Sequence, residues 1–178
     1  MSTKGFLAAA CFALAVPSLA SAQGAAGGPK PLSPRDTTRA TVGSAHLLVD
    51  YGRPSKRGRE IFGGLVPYDQ VWRTGANSAT TFVTDKSLAI GGTTVPAGTY
   101  TLYSVPSQSG WKLVINKQTK QWGTEYHQDQ DLARVPMTTT AVSPPVEQFT
   151  IKIVPQGQGG ALELVWDTTQ ASVPLTVQ

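Results

Sequence analysis

Cationic side chains are concentrated in one stretch of this chain. Arg53, Lys56, Arg57 and Arg59 lie within seven residues, with a proline and a glycine among them. A guanidinium presents paired N–H donors that match the two oxygens of a carboxylate or phosphate. The cluster therefore predicts a surface for an anionic group. Ion pairing with a nearby carboxylate such as Asp50, within a solvated loop, is the alternative interpretation.

A second group of polar side chains follows at positions 72–77, which read Trp-Arg-Thr-Gly-Ala-Asn. An indole, a guanidinium and an amide are the parts from which sugar and anion sites are built. The same groups could instead pair the carbonyls of a long ordered loop, because buried backbone groups need partners. A ligand site and a self-fastened loop both remain open at this point.

Three acidic residues and a histidine recur at spacing two in a third segment: Glu125, His127, Asp129 and Asp131. On an extended strand these four side chains would project from one face. They could then bind Ca²⁺, Mn²⁺ or Zn²⁺ as a metal site. The alternative interpretation is a solvated acidic loop. The glutamines at 128 and 130 favour it, because they are more typical of a loop than of a strand.

Other catalytic and cofactor motifs are absent from the sequence. Cys11 is the only cysteine, so a mature chain without it has no thiol catalysis and no cysteine zinc site. No G-x-S-x-G elbow and no glycine-rich phosphate loop occurs, so we predict no cofactor. His127 with Asp129 or Asp131 could be the base half of a triad, but no nucleophile can be named. The net charge of +4 and the single basic cluster argue against a nucleic-acid partner.

The N-terminus resembles a secretory signal peptide. Lys4 precedes an apolar run at 6–16, and small residues end at Ala22. We predict a signal peptide over 1–22 and an exported protein, periplasmic or extracellular. The run is too short to span a bilayer, so no transmembrane segment is predicted after cleavage. Residues 23–40 are rich in Gly, Pro and Ala and predict a flexible leader, which leaves 41–178 as one domain.

Alternation with a period of two runs through that domain. Trp111, Leu113 and Ile115 fall on one face of a predicted strand, with Lys112 and Asn116 on the other. This period is typical of antiparallel sheets with one buried and one wet face. Gly91-Gly92 predicts a hairpin, and the 18 Gly and 13 Pro leave no helical window. We predict an all-β fold, a single antiparallel β-sandwich of about eight to ten strands, of which a jelly roll is one form.

The segment at 51–81 shows neither the period of a strand nor that of a helix, and it would be a long irregular loop. Its apolar side chains, including Phe62 and Trp72, are more than a disordered linker carries. Long ordered loops in compact domains are usually functional. We therefore predict an ordered loop that holds its cations on the sandwich.

Several fragments together resemble the DUF2911 family of bacterial exported proteins. They are YGRPSKRGREIFGGLVPY, VWRTGANSATT, PAGTYTLYSVP, WKLVINK, QWG and DLAR. The family has no known function, so the resemblance implies no catalytic residues, and His127 does not match its motifs. It implies signature positions, of which backbone geometry does not explain six: Arg59, Trp72, Arg73, Asn77, Asp131 and Arg134.

Our main hypothesis is a non-enzymatic binding module for a small polar or anionic ligand, such as a glycan or cell-envelope component. Its ligand-binding residues would be Arg59, Trp72, Arg73 and Asn77 in one cleft, while Asp131 and Arg134 could form a structural ion pair. An envelope hydrolase or metal-dependent enzyme using residues 125–131 is one alternative. A structural or protein-interaction module, with every signature side chain buried and paired internally, is the other. The oligomeric state is not predicted.

Overall fold

The computed structural model describes residues 1–2 and 32–178. The predicted signal peptide beyond residue 2, Cys11 and positions 23–31 of the predicted leader lie outside the described residues. Nine strands and one short 3-10 turn, Gln128–Gln130, make up the regular structure described. The strands are β1 (Arg35–Val42), β2 (Ala45–Gly52), β3 (Thr80–Thr84), β4 (Leu88–Ile90), β5 (Thr93–Val95), β6 (Gly98–Val105), β7 (Trp111–Asn116), β8 (Asp131–Gln156) and β9 (Gly159–Val177).

All nine strands form one antiparallel sheet in the order β1-β2-β3-β6-β7-β8-β9-β4-β5. The sheet folds over on itself, since Tyr51 of β2 packs edge-on against Phe149 of β8, with ring centroids 5.8 Å apart. The Tyr51 hydroxyl also accepts a hydrogen bond from the Ile151 N–H at 3.0 Å. The predicted all-β antiparallel sandwich is therefore confirmed. Its order is a meander interrupted by the β4–β5 hairpin, which differs from the jelly-roll form.

Alternating burial places one core between the two layers. In β2 the residues Ala45, Leu47, Val49 and Tyr51 are buried, and those between them are exposed or half-buried. This pattern is the one that a half-buried strand requires. The predicted hairpin is also present, with Ile90 paired to Thr93.

Strand β7 departs from the predicted alternation at its end. Lys112 is exposed as expected, but Asn116 is fully buried. Its amide donates to the His127 carbonyl at 2.8 Å and to the Asp131 carboxylate at 2.8 Å. The prediction of a wet face at Asn116 was wrong, because a buried amide is tolerated where it is hydrogen-bonded.

Strand β1 begins inside the predicted leader, so residues 35–40 belong to the sheet and the boundary at 40 was too late. The strand pairs with β2 along its whole length, from Arg35 opposite Gly52 to Val42 opposite Ala45. Thr38 adds a hydroxyl hydrogen bond of 2.7 Å to the Ile151 carbonyl in the opposite layer. Polar contacts hold this edge strand in the sheet. Because it has almost no bulky apolar residues, the hydrophobic pattern of the sequence did not predict it.

The irregular segment between β2 and β3 is fixed to the sandwich by backbone bridges. Trp72 exchanges two backbone hydrogen bonds with Ser104 of β6, at 2.8 and 2.9 Å. Ser78 forms a bridge to Trp122, in the segment between β7 and β8. The predicted ordered loop is thus present, and it faces residues 121–126. No helix in the described residues is long and apolar enough to cross a membrane.

Candidate functional site

A cleft of about 650 Å³ lies between the β2–β3 loop and the segment that precedes β8. This volume is within the range of small-molecule sites. All four predicted ligand-binding residues, Arg59, Trp72, Arg73 and Asn77, line it. The remaining lining residues are Ser33, Pro54, Leu65, Val66, Val71, Gly75, Ala76, Tyr103, Gly123, Thr124, Tyr126 and Trp166.

The guanidinium of Arg73 is the donor that the fold leaves unused. Arg73 is half-buried, yet its side chain makes no hydrogen bond and no ion pair with any residue that the structure describes. Its aliphatic stem packs on Gly123, where an added Cβ would lie 2.7 Å from the Arg73 Cδ atom. Arg73 also lines the cleft, so a ligand there could use its unpaired guanidinium.

The turn after Arg73 is held by hydroxyl contacts in an unusual backbone conformation. Thr74 and Gly75 have φ of 49° and 152°, in the left-handed region. Thr80 donates to the Thr74 carbonyl at 2.7 Å, and the Thr74 hydroxyl donates to Ser104 at 2.9 Å. A Cβ on Gly75 would lie 2.9 Å from the Gly52 carbonyl oxygen, so glycine is required there. The turn therefore fixes the orientation of the residues on both sides of it.

Arg59 is partly committed to its own loop. Its Nε donates to the Lys56 carbonyl at 3.0 Å, and its Nη2 donates to the Ser55 carbonyl at 2.6 Å. Guanidinium groups carry five donors, so these two bonds leave others directed away from the loop. The residue is exposed at the cleft. Arg59 thus combines a structural contact with free donors.

Asn77 closes the polar side of the cleft. Its side chain donates a long hydrogen bond of 3.4 Å to the Ser33 carbonyl, and its own carbonyl accepts from the Gly123 N–H at 3.0 Å. The residue adopts φ of 64°, a region in which asparagine is enriched. The weak side-chain contact and the exposure of Asn77 leave its amide able to contact a ligand.

Trp72 forms the aromatic wall. Its ring stacks on Trp166 at a centroid distance of 5.9 Å and 19° between planes, and Phe149 meets it edge-on at 4.9 Å. No described residue accepts a hydrogen bond from its indole N–H. Offset stacking and edge contacts are favourable aromatic geometries. Trp72 is therefore both a core residue and a surface of the cleft.

Tyr126 is a cleft residue that the sequence did not single out. Its hydroxyl donates to the Asp131 carboxylate at 2.6 Å and accepts a hydrogen bond from Arg134, which itself pairs with Asp131 at 2.8 Å. Burial, followed by the contact with Asp131, raises the pKa of Tyr126 to about 12, against the opposing effect of Arg134. The hydrogen bond to Asp131 is the main cause that raises the pKa of Arg134.

These contacts explain two signature positions. The Asp131–Arg134 ion pair, a structural role that the sequence left open for these residues, is present and holds Tyr126 at the cleft. Tyr103 stands next to Tyr126, with ring centroids 4.9 Å apart, and burial raises its pKa above the usual value. Raised pKa values keep both hydroxyls protonated near neutral pH, so neither is a ready general base.

Two other members of the basic cluster, Arg53 and Lys56, form structural ion pairs. Arg53 pairs with Asp36 at 2.9 Å and donates to the Phe149 carbonyl at 3.0 Å. Lys56 pairs with Asp167 at 2.5 Å. The basic cluster that predicted one surface for an anionic group is thus divided, and only its Arg59 lines the cleft.

The acidic segment forms a loop, the alternative that its glutamines favoured, and not the strand face that a metal site would need. Residues 128–130 are a 3-10 turn, and β8 begins only at Asp131. His127 and Glu125 approach to 4.0 Å at the exposed surface, while Asp131 is engaged by Tyr126 and Arg134. The four side chains therefore do not share one extended face, and that premise of the metal hypothesis was wrong. No group of three or more His, Cys, Asp or Glu residues in the described chain is placed to hold a metal ion.

The charge of the cleft has one sign. Arg59 and Arg73 line it, and no aspartate or glutamate is among its described lining residues. Guanidinium groups attract carboxylate or phosphate, because both oxygens of the anion can be paired. With Trp72 and Tyr126 as walls, the geometry is suited to a small anion that also offers a flat or apolar part.

Comparison with known proteins identifies one family. The family model described as "Protein of unknown function (DUF2911)" matches residues 33–175. The match covers the four lining residues predicted from the sequence and also the whole of β1. No curated protein and no solved structure matches.

Proposed function

Since the chain belongs to the DUF2911 family, whose description assigns no function, we propose its function from the cleft: the protein binds a small anionic ligand as a non-enzymatic module. The ligand would be an acidic glycan or another component of the cell envelope. An exported location, periplasmic or extracellular, is part of this proposal and rests on the N-terminal sequence.

One observation carries the proposal. Arg73 is a half-buried residue whose guanidinium has no described partner, in a cleft without a described carboxylate. A guanidinium without a partner keeps all five of its N–H donors for a ligand. A bound anion would supply the missing partner. Charge-assisted hydrogen bonds of this type contribute about 1.5–3 kcal/mol each.

The roles of the four residues differ within this site. Arg73 would be the main anion contact, and Arg59 would contribute the donors that its loop does not use. Asn77 would donate from its weakly bound amide. Trp72 would lie against the ligand's ring or backbone, as aromatic residues do in sites with one apolar wall.

A structural role for the loop is favoured by the two Arg59 hydrogen bonds to the carbonyls of Ser55 and Lys56 and by the packing of Trp72 on Trp166 and Phe149. That role does not account for Arg73. The two proposals differ at a single position, because a purely structural loop has no use for an unpaired guanidinium at its inner edge.

The test is a titration followed by NMR at the tryptophan indole N–H groups. The chain has four tryptophans, and Trp72→Phe assigns the signal of Trp72. Inorganic phosphate and D-glucuronate should shift the Trp72 signal in a saturable way, and neutral D-glucose should shift it less. If neither anion moves that signal at millimolar concentration, the proposal is wrong.

A further inference from the structure

The large exposed apolar residues of the described chain beyond Met1 either line the cleft or adjoin its lining residues in sequence. Apart from Met1, the described chain exposes three large hydrophobic residues: Leu32 at 73%, Leu65 at 45% and Trp122 at 54%. Leu65 lines the cleft, and the other two are the direct neighbours of the lining residues Ser33 and Gly123. Single exposed apolar residues are ordinary, but three at the rim of one site indicate an interaction surface.

The backbone on both sides of the rim is held in place. The Leu32 carbonyl accepts a hydrogen bond of 2.8 Å from the Arg57 guanidinium. Trp122 is bridged to Ser78 by the backbone. These apolar side chains therefore project from fixed positions, which a docking surface needs.

Cations accompany the same rim residues. The exposed Arg57 donates to the Leu32 carbonyl, the exposed Lys120 is two residues from Trp122 in sequence, and Arg59 and Arg73 line the cleft. None of the four forms an ion pair with a carboxylate of the described chain. Glu60 and Glu125, the acids next to lining residues in sequence, do not line the cleft.

Leucine and tryptophan beside unpaired cations are the combination with which peripheral proteins bind anionic membranes. Tryptophan prefers the bilayer interface, and apolar side chains enter it while basic residues attract anionic lipids. A basic residue near such a surface contributes favourably, in proportion to the lipid charge. A soluble anion would use the guanidinium groups but would leave the apolar rim without a role.

We infer that the anion bound in the cleft is the headgroup of an anionic phospholipid, and that the rim formed by Leu32, Leu65 and Trp122 docks on a membrane surface. The phosphate lies between Arg59 and Arg73, and the rim side chains enter the interfacial layer. This inference rests on the proposed function, since it names the source of the anion for the same cleft.

Sedimentation with lipid vesicles tests the inference. The exported protein, purified with its N-terminus determined by mass spectrometry, is mixed with vesicles of phosphatidylcholine alone or with phosphatidylglycerol added. We expect it to sediment with the mixed vesicles and not with phosphatidylcholine alone. All variants carry the same N-terminus, so any contribution from that segment cancels between them.

The double variant Leu32→Ser/Trp122→Ala isolates the rim. It should weaken partition onto the mixed vesicles by about tenfold, the equivalent of one buried apolar side chain. It should leave the affinity for soluble glycerol 1-phosphate at the wild-type value, because neither residue lines the cleft. Arg73→Gln should weaken both. Arg39→Gln, an exposed cation on β1 away from the cleft, is the matched charge control and should change neither.

Each other outcome is decisive. Binding of glycerol 1-phosphate without vesicle binding overturns the inference and leaves the proposed function standing, with a soluble anion or a protein partner as the occupant. Loss of both overturns both. Vesicle binding that survives the rim and Arg73 substitutions places the membrane contact elsewhere. Concentration-dependent dimers that the rim variant dissociates, without vesicle binding, make the rim a self-interface.

Trp122→Phe should keep vesicle binding, and thermal unfolding checks that each variant is folded.

Discussion

Replacement of Gly123 by alanine tests how the fold aims Arg73. Gly123 has no positive φ, so alanine is compatible with its backbone and the effect is steric. The added Cβ would lie 2.5 Å from the Asn77 carbonyl oxygen and 2.7 Å from the Arg73 Cδ atom. Both distances are shorter than van der Waals contact. Either the hydrogen bond from the Gly123 N–H to the Asn77 carbonyl must therefore break, or the Arg73 stem must move.

The expected cost follows from these two contacts. Overpacking of this kind costs about 1–3 kcal/mol, and the loss of unfolded-state freedom returns about 0.4–1 kcal/mol. We therefore expect a net destabilisation of about 1–2 kcal/mol. For a domain of this size that corresponds to a fall in Tm of about 2–8 °C. Displacement of the Arg73 stem should also weaken phosphate or glucuronate binding by about tenfold.

The assay is thermal unfolding together with calorimetric titration of D-glucuronate. Gly98→Ala is the matched control, since its Cβ would meet only the Tyr100 side chain, at 3.3 Å or more. That variant should stay within about 0.5 kcal/mol of wild type and keep the affinity. If Gly123→Ala keeps both the wild-type Tm and the wild-type affinity, the argument that Gly123 positions Arg73 is refuted.

Three further predictions concern the supports of the cleft. Asp131→Ala should destabilise the protein by about 2–3 kcal/mol, because it leaves the partners of a carboxylate unpaired, as measured by urea unfolding. The free energy of unfolding should fall between pH 10 and about 12, because the folded pKa of Tyr126 is raised to about 12 while the unfolded residue titrates near 10. Tyr126→Phe should flatten this part of the curve of stability against pH. An unchanged slope would contradict the pKa assignment. Trp72→Ala should cost about 3 kcal/mol through lost stacking, and a wild-type Tm for this variant would contradict its packing role.

Much of the fold was predictable because its strands carry the period of two. Strand β7 was predicted to the residue from the alternation of Trp111, Leu113 and Ile115, and the Gly91-Gly92 hairpin from its turn residues. These signals are local, so a single sequence contains them. Local signals also explain the limits, since pairing between layers depends on residues that are far apart in sequence.

Strand β1 and Asn116 show those limits. Strand β1 has almost no bulky side chain, and Thr38 reaches across to Ile151, a contact 113 residues away. Asn116 reads as a wet residue until its partners at His127 and Asp131 are known. In both cases a polar contact between distant segments replaces the apolar pattern on which sequence interpretation depends.

The candidate site was predicted in part. Arg59, Trp72, Arg73 and Asn77 do line one cleft, but the sequence could not distinguish the partly committed Arg59 from the unpaired Arg73. Tyr126 carried no motif of its own. Its role depends on the signature residues Asp131 and Arg134, which follow it in the chain and hold its hydroxyl by hydrogen bonds.

Calorimetric titration of wild type and Arg73→Gln with inorganic phosphate and D-glucuronate tests the central claim most directly. The wild type should bind at least one of these anions, and Arg73→Gln should bind it at least tenfold more weakly, as expected for the loss of a charge-assisted contact. Arg73→Lys should recover part of the affinity, and Arg39→Gln should match wild type. Equal affinity of Arg73→Gln and wild type for both anions would contradict the claim that the unpaired guanidinium is the anion contact.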